Sequence, residues 1–429
     1  MMAAEEGDAL VPKLRFPGFW KSWSFVTISK FFDFTEKAEK TTVFDKNKVL
    51  TVKLHAGGVV KNEKATLTGK ANYFNRKAGQ FIFSKIDLLN GAFGVIPEPL
   101  DGYASSSDVP AYSFNDGHSS VFFVNWLEAK YEHLEIERTG TSSTLKRVSP
   151  DKFLALVIPA PTLNEQQKIA DCLASIDELI TLELQKLDTL KRHKKGLMQQ
   201  LFPAEGETVP RLRFQEFRDA GEWRTKLLGS IGQMINGLSG KSGDDFGQGK
   251  PFITYKQVFD SAFVDFAKCG LVEIREGENQ NEIKRGDILF TTSSETPDEV
   301  GYASVVLREP PCPVYLNSFC FSFRPSSLNE LMPEFSGYLF RSPIYRNLVT
   351  LLAQGSTRFN ISKAAFLNLS LPIPQTEEQQ KIADCLTSFD DRIAAQNQKI
   401  DALKAHKKGL MQQLFPAPDG FSAAQAGNT

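Results

Sequence analysis

One segment of this chain occurs twice. The nine letters EQQKIADCL stand at residues 165–173 and again, unchanged, at residues 378–386, which is 213 positions later. The likeness extends without a gap over residues 159–203 and 372–416. Self-similarity at one fixed offset constrains the fold strongly, because two copies of a local unit fold alike and can pack alike. The chain is therefore predicted to consist of two matching halves.

Each copy predicts a single long helix. Between Glu165 and Phe202 there is no proline, and Gly196 is the one glycine. Apolar residues recur at heptad spacing, which is typical of a coiled-coil seam rather than of a broad face turned to a core. A helix of about 38 residues spans roughly 57 Å, more than the width of a typical domain. Each helix thus needs a partner, and the second copy is the obvious one.

The predicted seam contains eight apolar residues in each helix. They are Ile169, Leu173, Ile176, Ile180, Leu187, Leu190, Leu197 and Leu201 in the first helix, and Ile382, Leu386, Phe389, Ile393, Ile400, Leu403, Leu410 and Leu414 in the second. Two polar residues interrupt each seam at matching positions, Glu183 and Lys194 in the first helix and Gln396 and Lys407 in the second. Polar seam residues lower stability but can fix register and partner choice, so matching interruptions predict matching packing.

The ends of the helices are also marked in the sequence. Asn164 and Thr376 can cap the first turns, with carboxylates close behind that interact favourably with the helix dipole. Pro203 and Pro416 follow the last apolar residues, where a proline ends a helix.

A weaker repeat brackets the rest of the chain. The lead-in VPKLRFPGFWKSW (11–23) resembles VPRLRFQEFRDAGEW (209–223). Each half therefore consists of a lead-in, a variable region, a Pro-x-Pro segment and a long helix. The predicted boundaries are 1–158 for the first globular domain, 159–203 for the first helix, 204–371 for a linker and the second globular domain, 372–416 for the second helix, and 417–429 for a flexible tail.

The variable regions differ in sequence yet share landmarks. AGQFIFSK (78–85) parallels RGDILFTT (285–292), and TSSTLKRVS (141–149) parallels GSTRFNIS (355–362). The first pair contains a short apolar run that predicts a strand, and the second pair contains a Ser/Thr-rich run beside a predicted strand.

Helical stretches are predicted at 119–137 and 329–353, and alternating apolar residues elsewhere predict strands. The predicted fold class is mixed α/β. Two divergent domains are joined by two long antiparallel coiled-coil helices, and the whole forms a pseudo-two-fold internal repeat.

The net charge of −1 hides an uneven distribution. Residues 37–85 contain eleven Lys or Arg against three Asp or Glu, whereas residues 87–137 contain one Lys against nine acidic residues. A basic face of this kind is the electrostatic footprint that a nucleic-acid backbone requires. A solvated basic surface without a partner is the alternative.

Composition argues against several other classes. The hydrophobic fraction of 41% and the charged fraction of 24% are ordinary for a globular protein, and no run of eighteen apolar residues predicts a membrane span. The opening MMAAEEGDAL is acidic and lacks the apolar stretch of a secretory signal, so a cytoplasmic location is expected. The five cysteines form no C-x-x-C pair and the five histidines form no ligand cluster, so no metal site is expected.

Together these segments resemble the specificity subunit of type I restriction–modification enzymes. The likeness is carried by the paired P-x-P…EQQKIADCL…HKKGLMQQLFP segments and by the lead-ins PKLRF and PRLRF, from about residue 11 to residue 416. It implies that each variable region is a target recognition domain that reads one half of a bipartite, asymmetric double-stranded DNA site. The paired helices would then separate the domains and set the length of the unread spacer.

The same resemblance implies the partners. A specificity subunit is non-catalytic and docks two methyltransferase subunits, and through them the restriction subunits. S-adenosylmethionine, ATP and Mg²⁺ are accordingly expected in the partner subunits, and no cofactor is expected in this chain.

Candidate DNA-binding residues follow from charge and side-chain type, because phosphate contacts position a protein while base contacts specify the sequence. In the first domain they are Lys53, Lys61, Lys64, Lys70, Arg76, Lys77, Lys85, Lys146 and Arg147. In the second domain they are Lys241, Ser242, Arg341, Arg346, Ser356, Thr357, Arg358, Asn360 and Lys363. For any one of them, a solvated or core-capping role is the alternative.

Three short motifs suggest catalysis but are incomplete. The loop GLSGKSG resembles a phosphate-binding loop, yet Ile235 stands where that pattern needs its first glycine. EPPC (309–312) lacks the amide or acid and the aromatic residue of the amino-methyltransferase motif. Asp116 with Glu128 and Lys130 fits a metal-dependent nuclease spacing, but the surrounding stretch is acidic and would repel DNA. No catalytic residue is therefore assigned.

Two rival functions stay open. One is a catalytically active nuclease or methyltransferase fusion, which would need a cofactor pocket of its own. The other is a coiled-coil protein–protein adaptor that does not read DNA directly.

Overall fold

The structure, a computed structural model, describes residues 11–35, 39–41, 45–63, 72–140 and 146–416. The chain forms two compact units. The first consists of Met1–Leu184 with Gln398–Thr429, and the second consists of Gln185–Asn397. The predicted tail, 417–429, lies outside the described residues.

The first unit is organised around a mixed set of short strands and one buried helix. Its strands are β1 (Ser24–Thr27), β2 (Phe32–Asp33), β3 (Leu50–Val52), β4 (Val59–Lys61), β5 (Tyr73–Asn75), β6 (Phe81–Phe83), β7 (Phe93–Val95), β8 (Ala104–Ser106), β9 (Ala111–Phe114), β10 (Arg138–Thr139), β11 (Arg147–Val148) and β12 (Val157–Ala160). Its helices are α1 (Ser120–Lys130), α2 (Pro150–Leu154), the first part of α3 (Leu163–Leu201) and the last part of α9 (Thr376–Leu414). The central sheet has the order β2-β9-β6-β7, with antiparallel pairings.

An aromatic core holds this sheet against α1. Phe81 of β6 and Phe123 of α1 are fully buried, and their rings meet edge to face with centroids 5.2 Å apart. Trp126, one turn further along α1, is also fully buried. Edge-to-face pairs add to the stabilisation that burial itself provides, so this cluster positions α1 firmly on the sheet.

The second unit repeats this plan with more regular strands. Its strands are β13 (Arg224–Leu227), β14 (Gly232–Asn236), β15 (Phe246–Ile253), β16 (Gly270–Val272), β17 (Ile288–Thr291), β18 (Ser293–Ser294), β19 (Ala303–Val305), β20 (Tyr315–Leu316), β21 (Cys320–Pro325), β22 (Ala353–Gln354), β23 (Phe359–Ile361) and β24 (Ser370–Ile373). Its helices are the last part of α3, α4 (Leu228–Ile231), α5 (Tyr255–Asp260), α6 (Pro333–Leu339), α7 (Pro343–Thr350), α8 (Lys363–Leu367) and the first part of α9 (Thr376–Leu414). The central sheet has the order β14-β21-β17-β19, again antiparallel.

The landmarks shared by the two variable regions occupy equivalent places. AGQFIFSK contains β6 and RGDILFTT contains β17, and both strands are interior to the four-stranded sheets. Gly79 and Gly286 precede them with φ of +80° and +85°, a conformation that glycine adopts without strain. The predicted mixed α/β class and the internal repeat are confirmed.

The two long helices form the predicted antiparallel coiled coil. All sixteen predicted seam residues and the four polar interruptions are buried or half-buried. In the first unit, Lys407 of α9 contacts Asp177 of α3 at 2.9 Å. In the second unit, Lys194 of α3 contacts Asp390 of α9 at 2.5 Å. Each pair joins the late part of one helix to the early part of the other, and the two pairs are related by the same offset of 213 residues.

Three details of the predicted helices are wrong. The carbonyls of Thr162 and Gln375 accept the first backbone bonds, so Asn164 and Thr376 lie inside the helices rather than at the caps. The predicted helix at 329–353 is two helices, α6 and α7, because Pro343 has no N–H to continue the first. In the first domain, α1 ends at Lys130 and a 3-10 turn follows. None of the helices in the described ranges is long and apolar enough to cross a membrane.

Candidate nucleic-acid interface

The repeated phrase EQQKIADCL anchors each lead-in to its helix. In the first unit, Glu165 accepts hydrogen bonds from Arg15 Nε (2.7 Å), Arg15 Nη2 (2.8 Å) and Trp23 Nε1 (3.3 Å). The carboxylate side chain is only 2% exposed. In the second unit Glu378 makes the same three contacts, with Arg213 and Trp223, at 2.7–3.2 Å. These hydrogen bonds raise the pKa of both guanidinium groups.

The next residue of the phrase connects the helix to the globular domain of its own half. Gln166 Oε1 accepts from the backbone N–H of Ser119, the N-cap residue of α1, at 3.0 Å. Gln379 accepts in the same way from Met332, the N-cap residue of α6, at 3.0 Å. We call the Arg–Trp–Glu–Gln contacts the frame junction, made by Arg15, Trp23, Glu165 and Gln166 in the first half and by Arg213, Trp223, Glu378 and Gln379 in the second. These repeated residues therefore have a structural role within each half.

Glu165→Gln should destabilise the first unit by about 1.5–3 kcal/mol, the usual contribution of hydrogen bonds to a charged group, because it leaves Arg15 charged in a largely buried position. Denaturant unfolding would measure this loss. Lys152→Gln is the matched control, since it removes an ion pair with Glu137 that is exposed to water and should cost no more than about 1 kcal/mol. Equal effects of the two substitutions would contradict a stabilising role for the frame junction.

Each globular domain has a cleft beside the end of its central strand. In the first domain the cleft has a volume of about 630 Å³. Its lining includes two carboxylates, two ammonium groups and two aromatic rings, those of Asp33, Glu39, Lys77, Lys85, Phe34 and Tyr112. In the second domain the cleft has a volume of about 360 Å³ and is lined by residues that include Tyr255, Ser293, Ser294, Glu299, Phe319 and Arg358.

A short hairpin is attached at the same place in both domains. In the first domain, Lys85 follows β6, donates its backbone N–H to Asp108 and accepts from Val148 of β11. In the second domain, Thr292 follows β17, donates to Phe319 and accepts from Ile361 of β23. The hairpins β10–β11 and β22–β23 are therefore equivalent, and so are the positions of Asp108 and Phe319.

An arginine of each hairpin contacts that equivalent position. Arg147 donates from Nε and Nη2 to the two carboxylate oxygens of Asp108, at 3.0 and 2.9 Å. The hydrogen bond from Arg147 is the main reason that the pKa of Asp108 is lowered. Arg358 lies over the ring of Phe319, with its guanidinium carbon 5.6 Å from the ring centroid. Arg358 lines the second cleft, whereas the arginine that lines the first cleft is Arg76 and not Arg147.

Comparison with known proteins assigns the chain to a family. The family model of the type I restriction modification DNA specificity domain matches residues 21–192 and again residues 220–405. Together the two matches include most of the chain. The chain belongs to the family of type I restriction–modification specificity subunits.

Individual relatives agree with this family. The chain is 24% identical over 321 residues to the type I restriction enzyme MjaVIII specificity subunit of Methanocaldococcus jannaschii, and the alignment covers 73% of each. It is 23% identical over 306 residues to the EcoKI specificity subunit of Escherichia coli, covering 69% of this chain and 64% of that one. The crystal structure of the type I restriction–modification S subunit from M. genitalium superimposes with a TM-score of 0.52 at 17% identity, covering 95% of this chain and 99% of that one. At that identity the superposition supports the fold alone.

Several predicted DNA-binding residues of this specificity subunit lie on accessible surfaces. Lys53, Lys77, Lys146, Ser356, Thr357, Arg358, Asn360 and Lys363 are exposed, whereas Lys61, Lys85 and Arg147 are half-buried. The structure brings Lys77 and Lys85 together in the first cleft, and Arg358 lines the second. Lys61 pairs with Glu63 at 3.6 Å, and Lys363 donates to the Asn236 side chain. Lys64, Lys70 and residues 141–145 lie outside the described residues.

Other predicted residues have internal partners that argue against DNA contact. Arg341 donates to the carbonyl oxygens of Ala303, Val258, Phe259 and Ser261 at 2.7–3.0 Å, and burial lowers its pKa to about 10. Arg76 is 4% exposed, donates to Ser105 Oγ at 2.8 Å, and also has its pKa lowered to about 10 by burial. We therefore remove both arginines from the predicted interface.

Three more predicted residues are held within the second domain. Lys241 donates to Glu278 at 2.6 Å and, with other hydrogen bonds, lowers the pKa of that carboxyl to about 2. Ser242 forms a capping box with Asp245. Arg346 donates to the carbonyl of Asp298 and lies 4.3 Å from the Tyr302 ring centroid. These contacts also place the GLSGKSG loop within an ion-pair network, which is unlike a phosphate cradle.

Sequence reasoning missed Asp108 and Phe319. Asp108 belongs to the acidic stretch, and Phe319 is one aromatic residue among many. Only the strand pairing places each of them against a hairpin arginine. Asp108 lies just before β9, which pairs with β6, and Phe319 lies just before β21, which pairs with β17. A search for residues at that position could have found them.

Proposed function

We propose that this specificity subunit reads a bipartite, asymmetric DNA site, with one half-site contacted by each globular domain, and that it is itself non-catalytic. The observation that carries this proposal is that the two halves share the same frame junction but differ at the surfaces of their globular domains. The frame junctions of the two halves are identical in residue type, whereas Asp108 and Phe319 differ at one equivalent position. Unlike surfaces on one frame fit two unrelated half-sites.

The accessible basic residues support a phosphate-contacting role. Lys53, Lys77, Lys146 and Lys363 are exposed and belong to the two variable regions. Lysine side chains attract the phosphate backbone without selecting a sequence, and release of counterions makes such binding strongly dependent on salt. The clefts and hairpins would then add the sequence-selective contacts.

The coiled coil is proposed to set the distance between the half-sites. In DNA-binding proteins with two reading elements, the separation of the half-sites follows from the separation of those elements. A pair of helices of 39 residues each is a stiff connection, because its seam and its two Lys–Asp pairs fix the register. The unread spacer is therefore expected to have one length.

The proposed partners are two methyltransferase subunits and, through them, restriction subunits. Membership of the family supports this assignment. The repeat offers two equivalent frames, which suits two copies of one partner. S-adenosylmethionine, ATP and Mg²⁺ are proposed to bind in those partners rather than in this chain.

Mapping of methylated bases tests the proposal. Cells that express this chain with its methyltransferase partner should acquire methylation at a split motif with two unrelated halves. Cells that express the methyltransferase alone should not. A continuous or palindromic motif, or methylation that does not depend on this chain, would contradict the proposal.

The adaptor alternative is tested by electrophoretic mobility shift. A protein–protein adaptor predicts that the methyltransferase binds DNA equally well with and without this chain, at one stated salt concentration. The proposed reader predicts tighter and sequence-dependent binding only when the chain is present.

A further inference from the structure

We propose that Lys404 and Lys408 of α9, and Lys191 and Lys195 of α3, form two equivalent docking sites for an acidic segment of the methyltransferase subunit. This inference rests on the function proposed above, which supplies the partner. It goes beyond that function by naming the surface on this chain and the chemistry of the segment that binds there. We call these four residues the outer lysines.

Three lysines stand at the same places near the end of both long helices. The middle one, Lys194 or Lys407, pairs with an aspartate of the other helix. The outer lysines are exposed, and they make no hydrogen bond or ion pair with any residue that the structure describes. The same division into paired and unpaired lysines therefore occurs twice in the chain.

Neither the helix dipole nor simple exposure accounts for this repetition. Lys404 lies more than two turns before the end of α9, and the dipole acts within the last turn. Arg192, which stands between the outer lysines of α3, corresponds to Ala405, and the exposed Thr189 corresponds to Ala402. Exposed neighbours thus differ between the two helices, whereas the outer lysines are the same. A binding partner outside the chain explains this difference.

The outer lysines of α9 line a cleft of about 720 Å³ in the first unit. Lys404, Lys408 and Gln412 are spaced four residues apart, so they lie along one face of the helix. The opposite wall contains Glu132, in the 3-10 turn after α1, and His55, in a loop after β3. The same spacing of two lysines and a glutamine recurs in α3.

The loop at the rim of this cleft is held firmly. His55 and Ala56 have φ of +55° and +54°, a left-handed conformation that is costly for residues other than glycine. Their N–H groups donate to the carbonyl oxygens of Asn90 and Gly91, both at 2.8 Å. A Cβ at residue 91 would lie 2.9 Å from the Ala56 nitrogen, so glycine is required there. Backbone of this kind persists where the surrounding structure fixes it, and it is common at ligand sites.

Hydrogen bonding shows which groups of the cleft are left for a ligand. The described lining contains three ammonium groups and three carboxylates, so its overall charge is balanced. Glu128 and Asp177 pair with Lys407 at 3.4 and 2.9 Å, and Glu132 accepts from the Tyr131 hydroxyl at 3.1 Å. The two outer ammonium groups are without such a partner. A ligand that supplies carboxylates would complete them.

A polypeptide fits this cleft better than DNA does. A duplex would bring a continuous row of phosphates towards the three carboxylates of the lining. A peptide segment can place single carboxylates against Lys404 and Lys408 while its apolar side chains contact Ile180 and Met411. Because the outer lysines recur in both helices, the partner should be present in two copies. The methyltransferase proposed above is such a partner.

Charge reversal of the outer lysines tests the two docking sites. Lys404→Glu with Lys408→Glu should weaken methyltransferase binding at one site by at least about 10-fold, since like charges would then face each other. Lys191→Glu with Lys195→Glu should do the same at the other site. Native mass spectrometry of the co-expressed complex, without DNA, counts the methyltransferase subunits. We expect two for the wild type, one for each double variant and none when all four lysines are changed.

Two controls separate docking from folding and from general charge effects. Lys186→Glu with Lys268→Glu reverses two exposed charges elsewhere and should leave two methyltransferase subunits bound. Thermal unfolding followed by circular dichroism should give the Lys404 and Lys408 double variant a Tm within a few degrees of the wild type. The milder pair Lys404→Gln and Lys408→Gln should weaken binding by a smaller factor, and it serves if charge reversal unfolds the first unit.

Three outcomes would overturn the proposal. The variant with all four lysines changed could bind two methyltransferase subunits, as the wild type does. The control could lose them equally, which would indicate a general charge effect. The variants could keep both subunits and lose DNA affinity with a shallower salt dependence, which would assign the outer lysines to phosphate contacts. Failure of the proposed function would look different, because the wild-type chain itself would then bind no methyltransferase subunit.

Discussion

Lys407→Glu is expected to destabilise the first unit by roughly 1.5–3 kcal/mol, because it removes the hydrogen bonds of a largely buried charged group whose partners Asp177 and Glu128 are 48% and 37% exposed. Lys407 is 13% exposed and lies between Asp177 at 2.9 Å and Glu128 at 3.4 Å. Glutamate at this position would bring a third carboxylate into the group. Denaturant unfolding followed by circular dichroism would measure the change, with the long helices supplying most of the signal.

The matched control is Lys186→Glu, an exposed position on α3 where reversal should cost less than about 1 kcal/mol. Adding Asp177→Lys to Lys407→Glu should recover part of the stability, since an opposite-charge pair is restored. If Lys407→Glu cost no more than Lys186→Glu, the polar seam position would be structurally neutral. Lys194→Glu should have a smaller effect than Lys407→Glu, because Lys194 is 23% exposed and pairs with one carboxylate, whereas Lys407 is 13% exposed and pairs with two.

A matched pair of insertions is expected to lengthen the unread spacer of the DNA site. Seven residues added after Gln185 and seven added after Gln398 place one extra heptad at equivalent points of α3 and α9 and keep both seams in phase. One heptad adds about 10 Å of helix. Since B-DNA rises about 3.4 Å per base pair, the spacer should grow by up to about three base pairs.

Mapping of methylated sites in cells would read the result of this change directly. Both half-sites should keep their sequences, because the recognition domains are untouched. Seven residues inserted in α3 alone would make α3 longer than α9, so the two seams could no longer pair along their full length. Methylation should then be abolished. Altered half-sites with an unchanged spacer would show that the coiled coil does not set the distance.

Local periodicity explains which parts of the fold could be predicted. The seam of α3 and α9 was predictable because the heptad pattern is a property of neighbouring residues in one helix. The caps were not, because Thr162 and Gln375 begin the helices through backbone bonds that several residue types could make. The break between α6 and α7 shows a proline at 343 overriding a favourable apolar pattern.

The candidate interface stays a prediction, and the sequence offers it by region rather than by residue. Arg76 and Arg341 have the same side chain as Arg147 and Arg358, yet only tertiary contacts distinguish a guanidinium bound to carbonyl oxygens from one that pairs with Asp108 or lies over Phe319. Asp108 lies in an acidic stretch of sequence but pairs with Arg147. Strand pairing joins stretches that are far apart in sequence, and no local pattern reports it.

The frame junction has a consequence for how such proteins diversify. Arg15, Trp23 and Glu165 meet in the same way as their counterparts in the second half, so any domain that ends in these residues fits the frame. A gene that encodes this junction twice contains matching sequences at which globular domains can be exchanged. Recombination at those points would give new combinations of domains, and the protein need not evolve a new way to fold.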